Sequence, residues 1–138
     1  ASYTATLTGG NITITNNNTY ITPEELGVVN TAIGHVTGTR TVGGSFTCYL
    51  SDDSANVTSS SDFFRDIKDN LSSTVTNSFA LTFSIGGASG RRVALAFPTA
   101  HVEIPSISIE DVISLETTFS ALPSTIDNTD EVTINYLV

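Results

Sequence analysis

The sequence predicts a mainly β protein carrying one amphipathic helix. Three observations lead there: apolar residues recur at every second position over most of the chain, Gly and Asn punctuate those runs, and one segment alone spaces its apolar residues by three and four. Thr and Ser together exceed a quarter of the 138 residues, and Thr, being β-branched, suits the solvated face of a sheet.

The elements follow in chain order. Tyr3, Ala5 and Leu7, then Ile12 and Ile14, alternate on either side of Gly9-Gly10, which reads as a hairpin turn closed by Asn16-Asn17-Asn18. Thr22-Pro23-Glu24-Glu25-Leu26-Gly27 combines an N-cap residue, Pro at the first helical position, Glu three after the cap and a terminating Gly, predicting a single helical turn. Between Arg40 and Leu50, Val42, Phe46, Cys48 and Leu50 share one face and Thr41, Ser45, Thr47 and Tyr49 the other, predicting a strand bulged at Gly43-Gly44. A polar loop from Ser51 to Ser60 follows. Phe63, Phe64, Ile67 and Leu71 then form the stripe of a helix over roughly Ser61 to Ser72, behind a Ser-rich cap and with Asp62 and Asp66 near its positive end. Phe79, Leu81, Phe83 and Ile85 alternate into the turn Gly86-Gly87-Ala88-Ser89-Gly90, and Val93, Leu95 and Phe97 alternate back out, predicting a long hairpin. Pro98 and Pro105 bound a link. Beyond it, Ile113, Leu115, Thr117, Phe119 and Ala121 oppose Ser114, Glu116, Thr118 and Ser120, and Val132, Ile134 and Tyr136 make a last strand. No composition break or repeat divides the chain, so residues 1–138 read as a single domain.

Composition narrows function. Five basic side chains against 14 acidic ones give a formal charge of −9, and Arg91-Arg92 is the sole basic cluster; a row of phosphates or an anionic membrane is not matched by that balance. One cysteine and two histidines exclude disulfide scaffolds and multi-ligand Cys/His sites, so no cofactor or metal is expected. The longest apolar stretches are strand-sized, which predicts no membrane span and no signal peptide. Ala1 stands where an initiator Met is missing, as processing or excision from a longer chain leaves it. A protein of this size buries about two-thirds of its unfolded surface and folds to roughly 7,000 Å².

No constellation demands an enzyme. His35 and His101 lie between small or branched residues without a helix-spaced ligand partner, as loop or sheet-face histidines do. Cys48 falls on the apolar face of its strand, a buried and inert thiol. Asp127-Asn128-Thr129-Asp130-Glu131 offers oxygen ligands but lacks the Gly and distal Glu of an EF-hand loop, and reads as an acidic turn. Sequons at Asn11, Asn17, Asn56 and Asn70 are what chance supplies in a chain rich in Asn, Ser and Thr. Gly9-Gly10 and Gly86-Gly87 open no helix and so cradle no phosphate.

IGHVTGTRTVGGSFTCYL from Ile33 to Leu50, VALAFPTAHVEIPSISIEDVISLETTFSALPS from Val93 to Ser124 and DEVTINY from Asp130 to Tyr136 together resemble the later part of long-tailed bacteriophage tail tube proteins. The shared order is a Gly-Thr-Arg strand, a Phe-rich helix, a Gly-turn hairpin, a Pro-bounded link, an alternating strand and a terminal Asp-Glu strand. Members of that family carry a substantial N-terminal half with no counterpart in these 138 residues.

The resemblance implies a tail-tube-like β-sandwich or β-barrel of about seven to nine antiparallel strands with a flanking helix. It implies a structural virion protein, not an enzyme: six copies close into a ring, rings stack into a tube, and double-stranded DNA passes through without tight binding. The partners it implies are further copies of the chain, tape measure and tail terminator proteins, and no membrane, with assembly in the bacterial host cytoplasm. Arg91 and Arg92 at the hairpin tip, Asp52 and Asp53 in the polar loop, and Glu116 on its strand are the candidate subunit-interface residues. The alternative is a secreted β-sandwich adhesin or pilin-like binding module. An enzyme ranks last, and would need folding to gather His101 with Glu103 or Asp111.

Overall fold

The computed structural model describes residues 3, 5–22, 32–52, 59–70, 79–86, 90–125 and 127–138. Among these described residues are seven antiparallel strands and one helix: β1 (Leu7–Ile21), β2 (Gly34–Tyr49), α1 (Ser60–Asn70), β3 (Phe79–Ile85), β4 (Arg92–Val102), β5 (Ser106–Ile109), β6 (Ile113–Leu122) and β7 (Thr133–Leu137). All seven strands belong to one sheet. Its main path runs β1-β2-β6-β4-β3, with β5 added beside β6 and β7 beside β4.

Alternation sets the two faces. Along β6, Leu115, Thr117, Phe119 and Ala121 are buried while the residues between them are exposed, as a period of two dictates for a half-buried strand. Register carries the same face outward: Phe119 lies opposite Gly44 of β2 and Val102 of β4, and Leu115 opposite Cys48 and Ile107. Thr117, buried on this face, donates its hydroxyl to the Glu103 carbonyl at 2.7 Å, which answers the cost of placing a polar group there. The core itself is aromatic. Phe46 of β2 meets Phe83 of β3 at 5.7 Å between ring centroids, and Phe97 and Phe119 complete the cluster. On a flat sheet β2 and β3, with two strands between them, would stand about 14 Å apart, so the sheet curls around these rings.

The helix covers one part of the core. Phe63 and Ile67 are buried and Phe64 is half-buried against the cluster, with Phe63 edge-on to Phe79 at 5.7 Å. Ser59 caps it: the Asp62 amide donates to the Ser59 hydroxyl, which donates to the Asp62 carboxylate at 2.7 Å, a capping box with Asp in the place usually held by Glu or Gln. Leu71, the last residue of the predicted stripe, lies outside the described residues, as do positions 23–27 of the predicted helical turn.

Four expectations are corrected. Gly9-Gly10 is no hairpin turn: β1 runs through it, with Gly10 opposite Phe46 and a Cβ there landing 2.7 Å from the Ser45 carbonyl. Asn16-Asn17-Asn18 likewise closes nothing and lies within β1. Gly43-Gly44 is not bulged, since its register with β1 and β6 is unbroken; glycine stands at Gly44 because a Cβ would run into the Asn11 carbonyl. The irregularities fall instead between Leu7 and Gly9 and between Asn16 and Asn18. Finally, Pro98 does not end its strand. Between Phe97 and Ala100 β4 has one residue more than β3 opposite, so the missing amide sits in a bulge and β4 continues to Val102.

Candidate assembly surface

Pro98 also marks where β4 changes neighbours. On one edge Arg92–Ala96 pairs with β7, and on the same edge Thr99–Val102 pairs with β6. The strand thus spans two partners, and the sheet presents β1 at one end of its path and β3 at the other, neither laddered to a further strand among the described residues. Beyond Val42 the β1–β2 pair leaves the sheet altogether. Residues 15–21 and 34–41 form a two-stranded arm, exposed on both faces except at half-buried Gly34. Asn17 ties it across the irregularity at Gly38 by donating to the Thr39 carbonyl at 2.9 Å.

The face away from the core is polar over five strands. Rows in register read Gly9, Thr47, Glu116 and Ser106, then Asn11, Ser45 and Thr118, then Thr13, Gly43, Ser120 and His101. Asn11 accepts from both the amide and the hydroxyl of Ser45, at 2.9 and 3.0 Å. Two of the sequon asparagines, Asn11 and Asn17, are therefore pins between β1 and β2.

The predicted interface residues occupy different regions. Glu116 is exposed on the polar face. Asp52 accepts from the Ser61 hydroxyl at 3.3 Å, beside the point where Ser60 donates to the Tyr49 carbonyl at 2.8 Å and accepts from the Ser51 amide at 2.7 Å. The ends of the Ser51–Ser60 loop are thereby fastened together, and Asp53 lies outside the described residues. Arg91 is exposed before β4, and Arg92 opens that strand opposite Leu137. The arginines thus stand at the start of β4 and Asp52 beside the cap of α1.

The other sequence candidates take ordinary places. His35 lies opposite Tyr20 on the arm, and His101 opposite Ser120. Cys48 is buried, and burial pushes its thiol pKa up, away from reactivity. The acidic turn is held by its own bonds: the Ser124 amide donates to Asp130 at 3.0 Å, and Ser124's hydroxyl and amide keep the Asp130 carboxyl below its usual range. Arg40 clamps the turn, donating to the Thr129 carbonyl at 3.0 Å and to Glu131 at 2.5 Å. Arg40 and Glu131, a tie that adjacent sequence spacing gave no signal for, also line a depression of about 480 Å³ with Thr13, Ala121 and Pro123. Among the described residues no three His, Cys, Asp or Glu side chains are grouped to hold a metal ion, and no helix is long and apolar enough to cross a membrane.

Large apolar side chains remain exposed, among them Tyr20, Ile33, Ile109, Ile134 and Tyr136. The chain is related to the tail tube protein family: over 133 residues, 94% of its length, it is 38% identical to tail tube protein pb6 of Escherichia phage T5, of which it spans 28%. No family model matches the chain.

Proposed function

We propose that the chain is a structural subunit of a bacteriophage tail tube, present in the virion tail and without enzymatic activity. The relationship to pb6 carries this reading. The surface supports it: Ile109, Ile134 and Tyr136 are exposed apolar residues on the sheet, and association is what covers such residues. Six copies close into a ring and rings stack into a tube; the number six comes from the family resemblance alone. Ring closure completes the sandwich or barrel by pairing the open edge of β1 in one copy with that of β3 in the next, which removes those two edges from exposure. Arg91, Arg92, Asp52, Asp53 and Glu116 serve the contacts between copies.

Part of the chain's negative charge faces the passage. Carboxylates there keep duplex DNA moving, because a wall of Lys and Arg would release counterions and hold it, and the repulsion acts only within about 8 Å at physiological salt. Tape measure and tail terminator proteins are the further partners, and assembly takes place in the host cytoplasm. Negative-stain imaging of the concentrated chain tests the reading. Hollow tubes or rings are expected, with rotational averaging giving the copy number. A monomer at every concentration would overturn it and favour the adhesin alternative.

A further inference from the structure

The apolar face that builds the core runs on past it at both ends of the sheet. At one end Phe83, Leu95 and Ile134 form a row in register, followed by Ile85, Val93 and Tyr136. Phe83 is buried, yet Ile85, Ile134 and Tyr136 are 57%, 58% and 67% exposed. At the other end Leu115 is buried beside Ile107, and the next pair, Ile109 with Ile113, is 76% and 39% exposed. Single exposed apolar residues are ordinary, but rows continuous with a core mark a surface that something covers.

The two ends carry opposite charge. Exposed Arg91 immediately precedes the first row's strand β4. The second ends at the tight β5–β6 turn, whose residues Glu110, Asp111 and Val112 are all exposed. We propose that these ends dock on each other between copies: the Ile134 and Tyr136 row of one chain seats on Ile109 and Ile113 of the next, and Arg91 meets Glu110 and Asp111. Asp52 is the weaker acidic partner, since it already accepts from Ser61 in its own chain. Because the two surfaces differ, the contact is head to tail and leaves each copy with a further free end, so it repeats into a ring or filament instead of stopping at a dimer. This rests on the tube-forming reading above and names its surfaces.

Cross-linking between two single-site variants of the 138-residue chain tests it, with Ile109→Cys in one and Tyr136→Cys in the other. Cys48, 1% exposed, stays silent. Under mild oxidation the mixture is expected to give a disulfide-linked pair that neither variant gives alone. Arg91→Glu is expected to lose assembly with an unchanged circular dichroism spectrum, and Glu110→Arg with Asp111→Arg in the same chain to regain it. If wild-type tubes or rings form but the mixture gives no linked pair, or either variant links to itself equally well, this docking is overturned while the tube reading stands. If the wild type never associates, the tube reading falls and the docking with it.

Discussion

Ile67 shows how little slack the core holds. It is 1% exposed on α1, packed with Phe63 against the sheet, and Ile67→Ala is expected to cost about 2–4 kcal/mol in chemical denaturation through lost burial and an unfilled cavity. Gly44 fails in the opposite sense. Gly44→Val would drive side-chain atoms into β1 at Asn11, an overpacking loss of about 1–3 kcal/mol in the same measurement. Buried Cys48 and strand-borne His35 both agree with their sequence reading. Gly10 and Gly44 were harder to read, because the sequence carries the same glycine for a turn and for a close approach of two strands, and only the neighbouring backbone tells them apart.

At the scale of elements, the cap of α1 links local chemistry to pH. Asp62 is held below its ordinary value of 3.8, first by the Ser59 hydroxyl, then by the Ser59 amide and Arg65, against an opposing contribution from burial. A depressed carboxyl stabilises the fold above its unfolded value and loses that contribution as pH falls through the folded one. The melting temperature is therefore expected to drop on acidification below about pH 4, and Ser59→Ala to flatten that dependence while costing about 0.5–2 kcal/mol at neutral pH; equal acid slopes in wild type and variant would contradict it. The elements themselves were legible where one face is buried and the run is long, as in β6 and the β3–β4 hairpin. β5 escaped notice because four residues beside Pro105 give too few alternations, and β4 was cut short at Pro98 because a bulge shifts its inward phase from Phe97 to Ala100.

For the whole molecule, the consequences lie between copies. Arg91→Glu with Arg92→Glu is expected to weaken or abolish tubes and rings in images taken at low and at high salt, while the monomer's melting is preserved. An exposed ion pair is worth only about 0–1 kcal/mol, yet the loss recurs at every contact around a ring. Tubes of normal length from that variant would place the interface elsewhere. The sequence disclosed the candidate residues but not their grouping. Asp52 lies beside the helix cap, Arg91 by the β4 start and Glu116 on the polar face, a separation that pairing between distant strands decides and adjacency in the chain does not record.

That same pairing governs when the molecule becomes competent. β6 joins the β1–β2 hairpin to the β3–β4 hairpin, and it arrives from residues 113–122 to meet partners at 42–49 and 99–102. Closing these distant pairs carries a larger loop-closure cost than zipping the hairpins, so it is expected to follow them. Until it happens, the row on β7 and the tip of β5–β6 are not held at a fixed spacing. Under the proposed docking, an unfinished chain accordingly lacks the matched pair of ends that the next copy would recognise, and folding acts as its own checkpoint on incorporation.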